Sequence, residues 1–205
     1  WIRSGPSLTH YFGLGGTVTI PEDMNLIEIG QFAFSNYDYV PKEEGDEISE
    51  EMPETTKMWY LGDDTITKVV IPEGVEVTLD LNGKTVTVPE DAKHIYALNN
   101  KGTLTIKDSN GNGSISARGI YNGYDGVSSN NTVEGAKLII ESGKFIALDS
   151  DGGAAIFNCA ELVINDGTFK GIVAAVNNRA MGVVTINGGT FAGGYDGGKS
   201  TNYII

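Results

Sequence analysis

Asp149 and Asp151, in the segment LDSDGG at 148–153, are the best-spaced pair of potentially reactive groups in this chain. On an extended strand, residues two apart share one face. Two converging carboxylates about 5–10 Å apart are what hydrolysis of a glycosidic bond requires, and the same pair suits a shared cation or the hydroxyls of a sugar. Tyr195 and Asp196 in GGYDGGKS (193–200), and Tyr124 and Asp125 in YNGYDGVSSNN (121–131), each set an aromatic ring beside a carboxylate. Such a ring stacks on the apolar face of a sugar while the carboxylate accepts its hydroxyl protons. A structural alternative stands beside this reading, because Asp bonds its own backbone and Gly supplies positive φ, so that DSDGG is also an ordinary turn sequence.

Charge narrows the partners. Across 205 residues, 14 Lys and Arg oppose 27 Asp and Glu, a net charge of −13. Nucleic-acid binding depends on clustered Lys and Arg that displace counterions, so this composition argues against it, and an anionic membrane surface repels the chain. No stretch reaches the roughly 18 apolar residues of a membrane-spanning helix. The single Cys, Cys159, leaves no intrachain disulfide and no cysteine-built zinc site, and reads as a small buried hydrophobe. GxSxG, HExxH and phosphate-binding Gly-Lys loops are missing. Ten carboxylates between Asp38 and Asp64 face only Lys42 and Lys57, which places −8 of the net charge in one segment. Its centre, PKEEGDEISEEMP at 41–53, has no hydrophobic periodicity and reads as a solvated loop. A weak cation or basic-partner site is the alternative there, although the loop lacks the DxDxDG order of a calcium loop.

The elements that must position these residues are internal repeats. Leu104-Thr-Ile106, Leu138-Ile-Ile140, Leu162-Val-Ile164 and Val184-Thr-Ile186 each open a unit. Each is followed by a Gly and then an apolar residue: Gly113 with Ile115, Gly143 with Phe145, Gly167 with Phe169, Gly189 with Phe191. Leu79-Asp-Leu81 is placed in the same frame, so that unit starts fall 25, 34, 24 and 22 residues apart. A third element closes the units: Leu98-Asn-Asn100, Ile120-Tyr-Asn122, Ile156-Phe-Asn158 and Val176-Asn-Asn178. Short β-branched strands, Gly-Asn-Asp turns and this period predict an all-β chain wound as a parallel β-helix. Stacked units place Phe145, Phe169 and Phe191 in one aromatic column, worth about 0.5–1.5 kcal/mol per pair beyond burial. They place Asn100, Asn122, Asn158 and Asn178 in a hydrogen-bonded ladder. Thr201 to Ile205 reads as a strand of an incomplete unit, so a fragment of a longer protein is expected.

The units LDLNGKTVT, LTIKDSNGNGSIS, LVINDGTFKG and VTINGGTFAGG resemble the right-handed parallel β-helix repeats of large bacterial surface and secreted proteins, the pectate-lyase-like superfamily in its broad sense. That resemblance covers residues 75–205. GGTVTIPEDMNLIEIGQFAFSN and GDDTITKVVIPEG resemble the short leucine-rich repeats of bacterial surface proteins. They imply capping coils over 1–74, interrupted by the acidic insertion at about 38–57, in which Val18 to Ile20 form a strand closed by Pro21 while Ile29, Phe32, Ala33 and Phe34 pack inward. The superfamily includes lyases and hydrolases of acidic polysaccharides. A lyase of that kind implies a basic residue beside carboxylate-bound calcium, and within the units only Arg118 and Arg179 offer a guanidinium, neither beside a carboxylate cluster. His10 and His94 stand outside the regular units. No catalytic residue and no cofactor is therefore assigned, and calcium is the one ion left open. The expectation is a non-catalytic, extracellular adhesin or stalk module of a bacterial surface protein that presents loops to a glycan or a host protein. A polysaccharide lyase or hydrolase and a phage or filament fibre segment are the alternatives.

Overall fold

In the computed structural model, which describes residues 2–4, 7–10, 16–19, 26–29, 67–87, 96–128, 130–148 and 153–193, the apolar triplets form strands and the Gly-Asn-Asp segments form corners between them. A hairpin comes first, of antiparallel β1 (Ile2–Ser4) and β2 (Ser7–His10). Thereafter three sheets receive one strand each in strict rotation. The first sheet takes β3 (Gly16–Thr19), β6 (Glu76–Asp80), β9 (Thr103–Lys107), β12 (Lys137–Ile140), β15 (Glu161–Ile164) and β18 (Val183–Ile186). The second takes β4 (Leu26–Ile29), β7 (Thr85–Thr87), β10 (Ser114–Ala117), β13 (Lys144–Ala147), β16 (Thr168–Lys170) and β19 (Thr190–Ala192), with the hairpin joined at its β4 edge. The third takes β5 (Thr67–Ile71), β8 (Tyr96–Asn100), β11 (Ile120–Asn122), β14 (Ala154–Asn158) and β17 (Ala174–Asn178).

Each strand from β3 to β16 pairs in parallel with the one three places on, for example Lys137↔Glu161 and Lys144↔Thr168. This is the winding of a parallel β-helix, all-β, with no helix among the described residues. β3, β4 and β5 pair with β6, β7 and β8, so strands on both sides of the 74/75 boundary share the same three sheets. The acidic insertion at 38–57, and Ile20, Pro21, Phe32, Ala33 and Phe34 of the N-terminal repeats, lie outside the described residues.

The register corrects one alignment read from the sequence. Val77 lies opposite Leu104, and Leu79 opposite Ile106, so this unit starts at Val77 and not at Leu79. A slip of two residues keeps every side chain on its original face, which is why alternation could not detect it. Leu81 belongs to no strand. It turns the corner, fully buried, with its N–H donated to the Lys107 carbonyl at 2.8 Å.

Inside the coil, like stacks on like. Val77, Leu104, Leu138 and Leu162 form one column and Leu79, Ile106, Ile140 and Ile164 the next, each at most 1% exposed. Phe145, Phe169 and Phe191 stack with ring centroids 5.0 Å apart and planes within 9° of parallel. That separation is close to the strand spacing of a sheet. The glycine two residues before each Phe is dictated by the corner. Gly167 has φ +131°, and a Cβ there would come within 3.1 Å of the Gly143 carbonyl and 3.2 Å of the Phe169 ring. At the last described turn the columns open: Val184, over Leu162, is only partly buried, and Ile186, over Ile164, is 38% exposed.

Position in the stack therefore sets the cost of truncation. Phe169→Ala, at the buried centre, is expected to destabilise by about 3–5 kcal/mol, and Phe191→Ala, only partly buried, by clearly less. Urea denaturation followed by far-UV circular dichroism measures both, and equal losses would contradict the stacking argument.

Candidate functional site

Two polar systems hold the turns of the coil together, and a third group of residues faces outward from it. The buried system is the Asn ladder. The last residues of the third-sheet strands fall in one column, Asn100, Asn122, Asn158 and Asn178, and the first three are fully buried. The Nδ2 of Asn100 donates to Asn122 Oδ1 at 2.9 Å, Asn122 to Asn158 at 2.7 Å and Asn158 to Asn178 at 2.8 Å. Nδ2 groups of the column also close onto main chain: Asn100 onto the Lys137 carbonyl at 2.9 Å, Asn122 onto Glu161 at 2.8 Å, Asn178 onto Gly182 at 3.0 Å. The ladder has two ends. Ile71 occupies the next position of the column, opposite Asn100, and Asn178 is exposed.

At the corner between the first and second sheets, two buried carboxylates do comparable work. Asp80 Oδ1 accepts from the N–H groups of Asn82 and Ser109, both at 3.0 Å, and its Oδ2 lies 3.5 Å from Lys107 Nζ. Asp108 accepts from Gly83 N at 2.7 Å and Gly113 N at 2.6 Å. Burial works to raise the Asp80 pKa, but the N–H groups of Ser109 and Asn82, the Ser109 hydroxyl and Lys107 outweigh it and hold the carboxyl below 3.8. Further along this edge Asn187 donates to Asn165 Oδ1 at 2.7 Å, and Asn165 to Glu141 Oε1 at 3.0 Å, on the surface.

The outward group lies on the third sheet. In each closing triplet the first and last residues point inward, so the middle ones, Asn99, Tyr121, Phe157 and Asn177, form an outer column. Tyr121 is part of β11 and not of the loop after it, which corrects the loop start read from the sequence. Gly123, at φ +73° and bonded through its N–H to the Asn100 carbonyl at 2.7 Å, turns the chain back over the sheet. Tyr124 thereby stacks on Tyr121, centroids 4.6 Å apart, while Phe157 meets Tyr121 edge-on at 4.9 Å. The guanidinium of Arg179 lies 5.1 Å over the Phe157 ring, a cation–π arrangement. Asn99 Nδ2 donates to the Tyr124 carbonyl at 3.3 Å.

Asp125 serves its own turn. Its Oδ1 accepts from Val127 N at 2.8 Å and Ser128 N at 2.9 Å, and its Oδ2 from Asn131 Nδ2 at 2.7 Å. Desolvation pulls its pKa up, yet these donors, with Lys101 nearby, leave it below the ordinary carboxylate value. Tyr124 and Asp125 thus sit side by side with different roles, the ring in an aromatic cluster and the carboxylate in a turn. Asp149, Asp151, Tyr195 and Asp196 lie outside the described residues. Cys159 is buried, and burial pushes its thiol up to about 11, so it stays protonated at neutral pH. Among the described residues, no three His, Cys, Asp or Glu side chains are grouped to hold a metal ion. Sequence reasoning passed over Phe157 and Arg179 as a surface group, with Asn99 buried beside them. The signal that would have found them is the middle position of the closing triplets.

No protein-family model, curated protein or solved structure matches this chain.

Removing one rung of the ladder orphans its neighbours. Asn122→Ala takes away the acceptor of Asn100 and the donors to Asn158 and the Glu161 carbonyl, and an unsatisfied buried group costs about 1–3 kcal/mol. A loss of at least about 3 kcal/mol is expected in denaturant titration, against under about 1 kcal/mol for Asn178→Ala at the exposed end. For Asp80 the folded pKa lies below 3.8, so its contribution is present above that pH and is lost as the pH falls through the folded value. Acid titrations of wild type and Asp80→Asn, compared by melting temperature, are expected to converge at the acid end. Parallel curves would refute the assignment.

Proposed function

We propose that the chain is a non-catalytic extracellular module, a β-helical stalk or adhesin-type segment of a bacterial surface protein that presents its outer face to a glycan. The observation that carries this reading is the cluster of Tyr121, Tyr124, Phe157 and Arg179 on the third sheet. Half-buried rings with a planar cation and the amide of Asn177 nearby combine an apolar stacking surface with hydrogen-bonding groups. This is the chemistry that recognises sugar rings. The scaffold supports the same reading, because the Asn ladder and the Asp80 and Asp108 corner engage their polar groups with neighbouring turns. A rigid frame with an unevenly decorated surface suits display.

We infer a right-handed coil from the strong preference of parallel crossovers for that hand. The resemblance to β-helix repeats of bacterial surface and secreted proteins supports an extracellular setting, and the leucine-rich-repeat-like segments support a capping role for residues 1–74. The loops carrying Asp149 and Asp151, and Tyr195 and Asp196, are offered as further contacts, with calcium as an ion they could share.

A glycan array probed with the purified chain, with and without calcium, tests the reading when retained ligand and released product are read together. Saturable retention without product is expected, weakened about tenfold by Tyr124→Ala or Phe157→Ala, the loss of one stacking contact of roughly 1.4 kcal/mol. Product release on turnover would overturn the proposal in favour of a polysaccharide-active enzyme. Concentration-dependent end-to-end assembly without any ligand would favour a fibre segment.

A further inference from the structure

Five Asn-Gly pairs occur in the chain, beginning at Asn82, Asn110, Asn112, Asn122 and Asn187. An Asn-Gly bond is chemically labile, because the Gly nitrogen can attack the Asn side-chain carbon with no Cβ to obstruct the approach. Attack needs that nitrogen to lose its proton and the backbone to rotate. The fold treats the five pairs unequally.

At two of them the attacking nitrogen is tied to Asp108: Gly83 N at 2.7 Å and Gly113 N at 2.6 Å. Deprotonating either would set an amide anion against a carboxylate, which like charge disfavours. At the third, Asn122 is fully buried, its amide donates to Asn158 and to the Glu161 carbonyl, and Gly123 N is bonded to the Asn100 carbonyl at 2.7 Å. At the fourth, Asn187 is held at 2.7 Å by Asn165, and a Cβ on Gly188 would lie 2.5 Å from the Asn165 carbonyl, so the backbone there is closely packed. Asn110 differs from all of these. Exposed like Asn112 and Asn187, it is set apart by a long side-chain bond to Asn82, at 3.3 Å, and by Gly111, which has φ +79° and where an added Cβ would meet nothing within 4 Å.

We propose that Asn110-Gly111 is a site of spontaneous covalent modification, selected by the fold from five chemically similar pairs. The Gly111 nitrogen bonds to Asn110 Cγ, the Cγ–Nδ2 bond breaks, and ammonia leaves with the proton given up by Gly111. Water then opens the cyclic imide to aspartate or isoaspartate. The product adds a carboxylate at the corner where Asp80 and Asp108 join two turns, and removes the amide that reaches Asn82.

The test is peptide mapping by mass spectrometry after incubation of the full chain at mildly alkaline pH, folded and in denaturant. In the folded protein, conversion at Asn110 is expected about tenfold ahead of Asn82, Asn112, Asn122 and Asn187, with the spread collapsing on unfolding. Asn110→Gln should abolish the leading signal, and Asp108→Ala should raise conversion at Asn82 and Asn112. Equal rates in the folded chain, or any of the other four pairs leading, would overturn the proposal. If Asp108→Ala does not fold, the folded-against-denatured comparison of the wild-type chain still decides it.

Discussion

Parallel main-chain pairing between turns is the constraint on which everything else here depends. When β9, β12, β15 and β18 pair in one continuous register, each side chain lies directly over its counterpart in the next turn, about one strand spacing away. A residue type is then acceptable at an inward position only if it packs against a copy of itself or a close relative. Leu and Ile satisfy this by interdigitation, Phe by stacking and Asn by donating to its own kind. Repetition in the sequence is the direct consequence, since each column must be solved with compatible side chains turn after turn.

Amides can enter such an interior because each carries both an acceptor oxygen and two donor hydrogens. In the middle of the ladder, Asn122 uses its oxygen for Asn100 and its amide hydrogens for Asn158 and the Glu161 carbonyl. Satisfaction of each amide requires both neighbours, so the column is secure in its middle and must be resolved at its ends. It is resolved at one end by Ile71, which needs no partner, and at the other by exposure of Asn178. The carboxylates of Asp80 and Asp108 follow a related logic. Being acceptors only, they cannot stack on one another, and they gather main-chain N–H groups from two turns instead.

This difference explains what could be read from the residues alone. Phe145, Phe169 and Phe191 share a spacing from their Gly, and the four Asn share a triplet, so both columns announce themselves by repetition. The Val77 register did not, because Leu81 supplies an apolar residue two places late and a shift of two preserves the face. The Asp80 and Asp108 corner was illegible for another reason: the two lie in successive turns, and Asp108 acts on glycines at unlike distances, Gly83 across the turn and Gly113 five residues on. The outer column was hidden because Asn99, Tyr121, Phe157 and Asn177 are not alike. Their contact comes from the sheet, and the position of Tyr124 from a single glycine turn that no periodicity encodes.

Unlikeness is also what makes that outer column informative. Inward positions are forced toward uniformity by stacking, whereas an outward position on the third sheet is free of it and its residues must be accounted for by something else. Solvation alone favours small polar or charged side chains there, as at Asn177. Two adjacent turns instead carry Tyr121 and Phe157, and the loop bends back to lay Tyr124 against them. Self-packing recovers part of the cost of placing rings at a surface, since stacked and edge-to-face pairs are each worth about 0.5–1.5 kcal/mol beyond burial. It also fixes the rings, so that a ligand would meet them already ordered and lose little entropy in doing so. A coil whose interior is dictated by repetition thus confines its distinctive surface chemistry to the few positions where repetition fails.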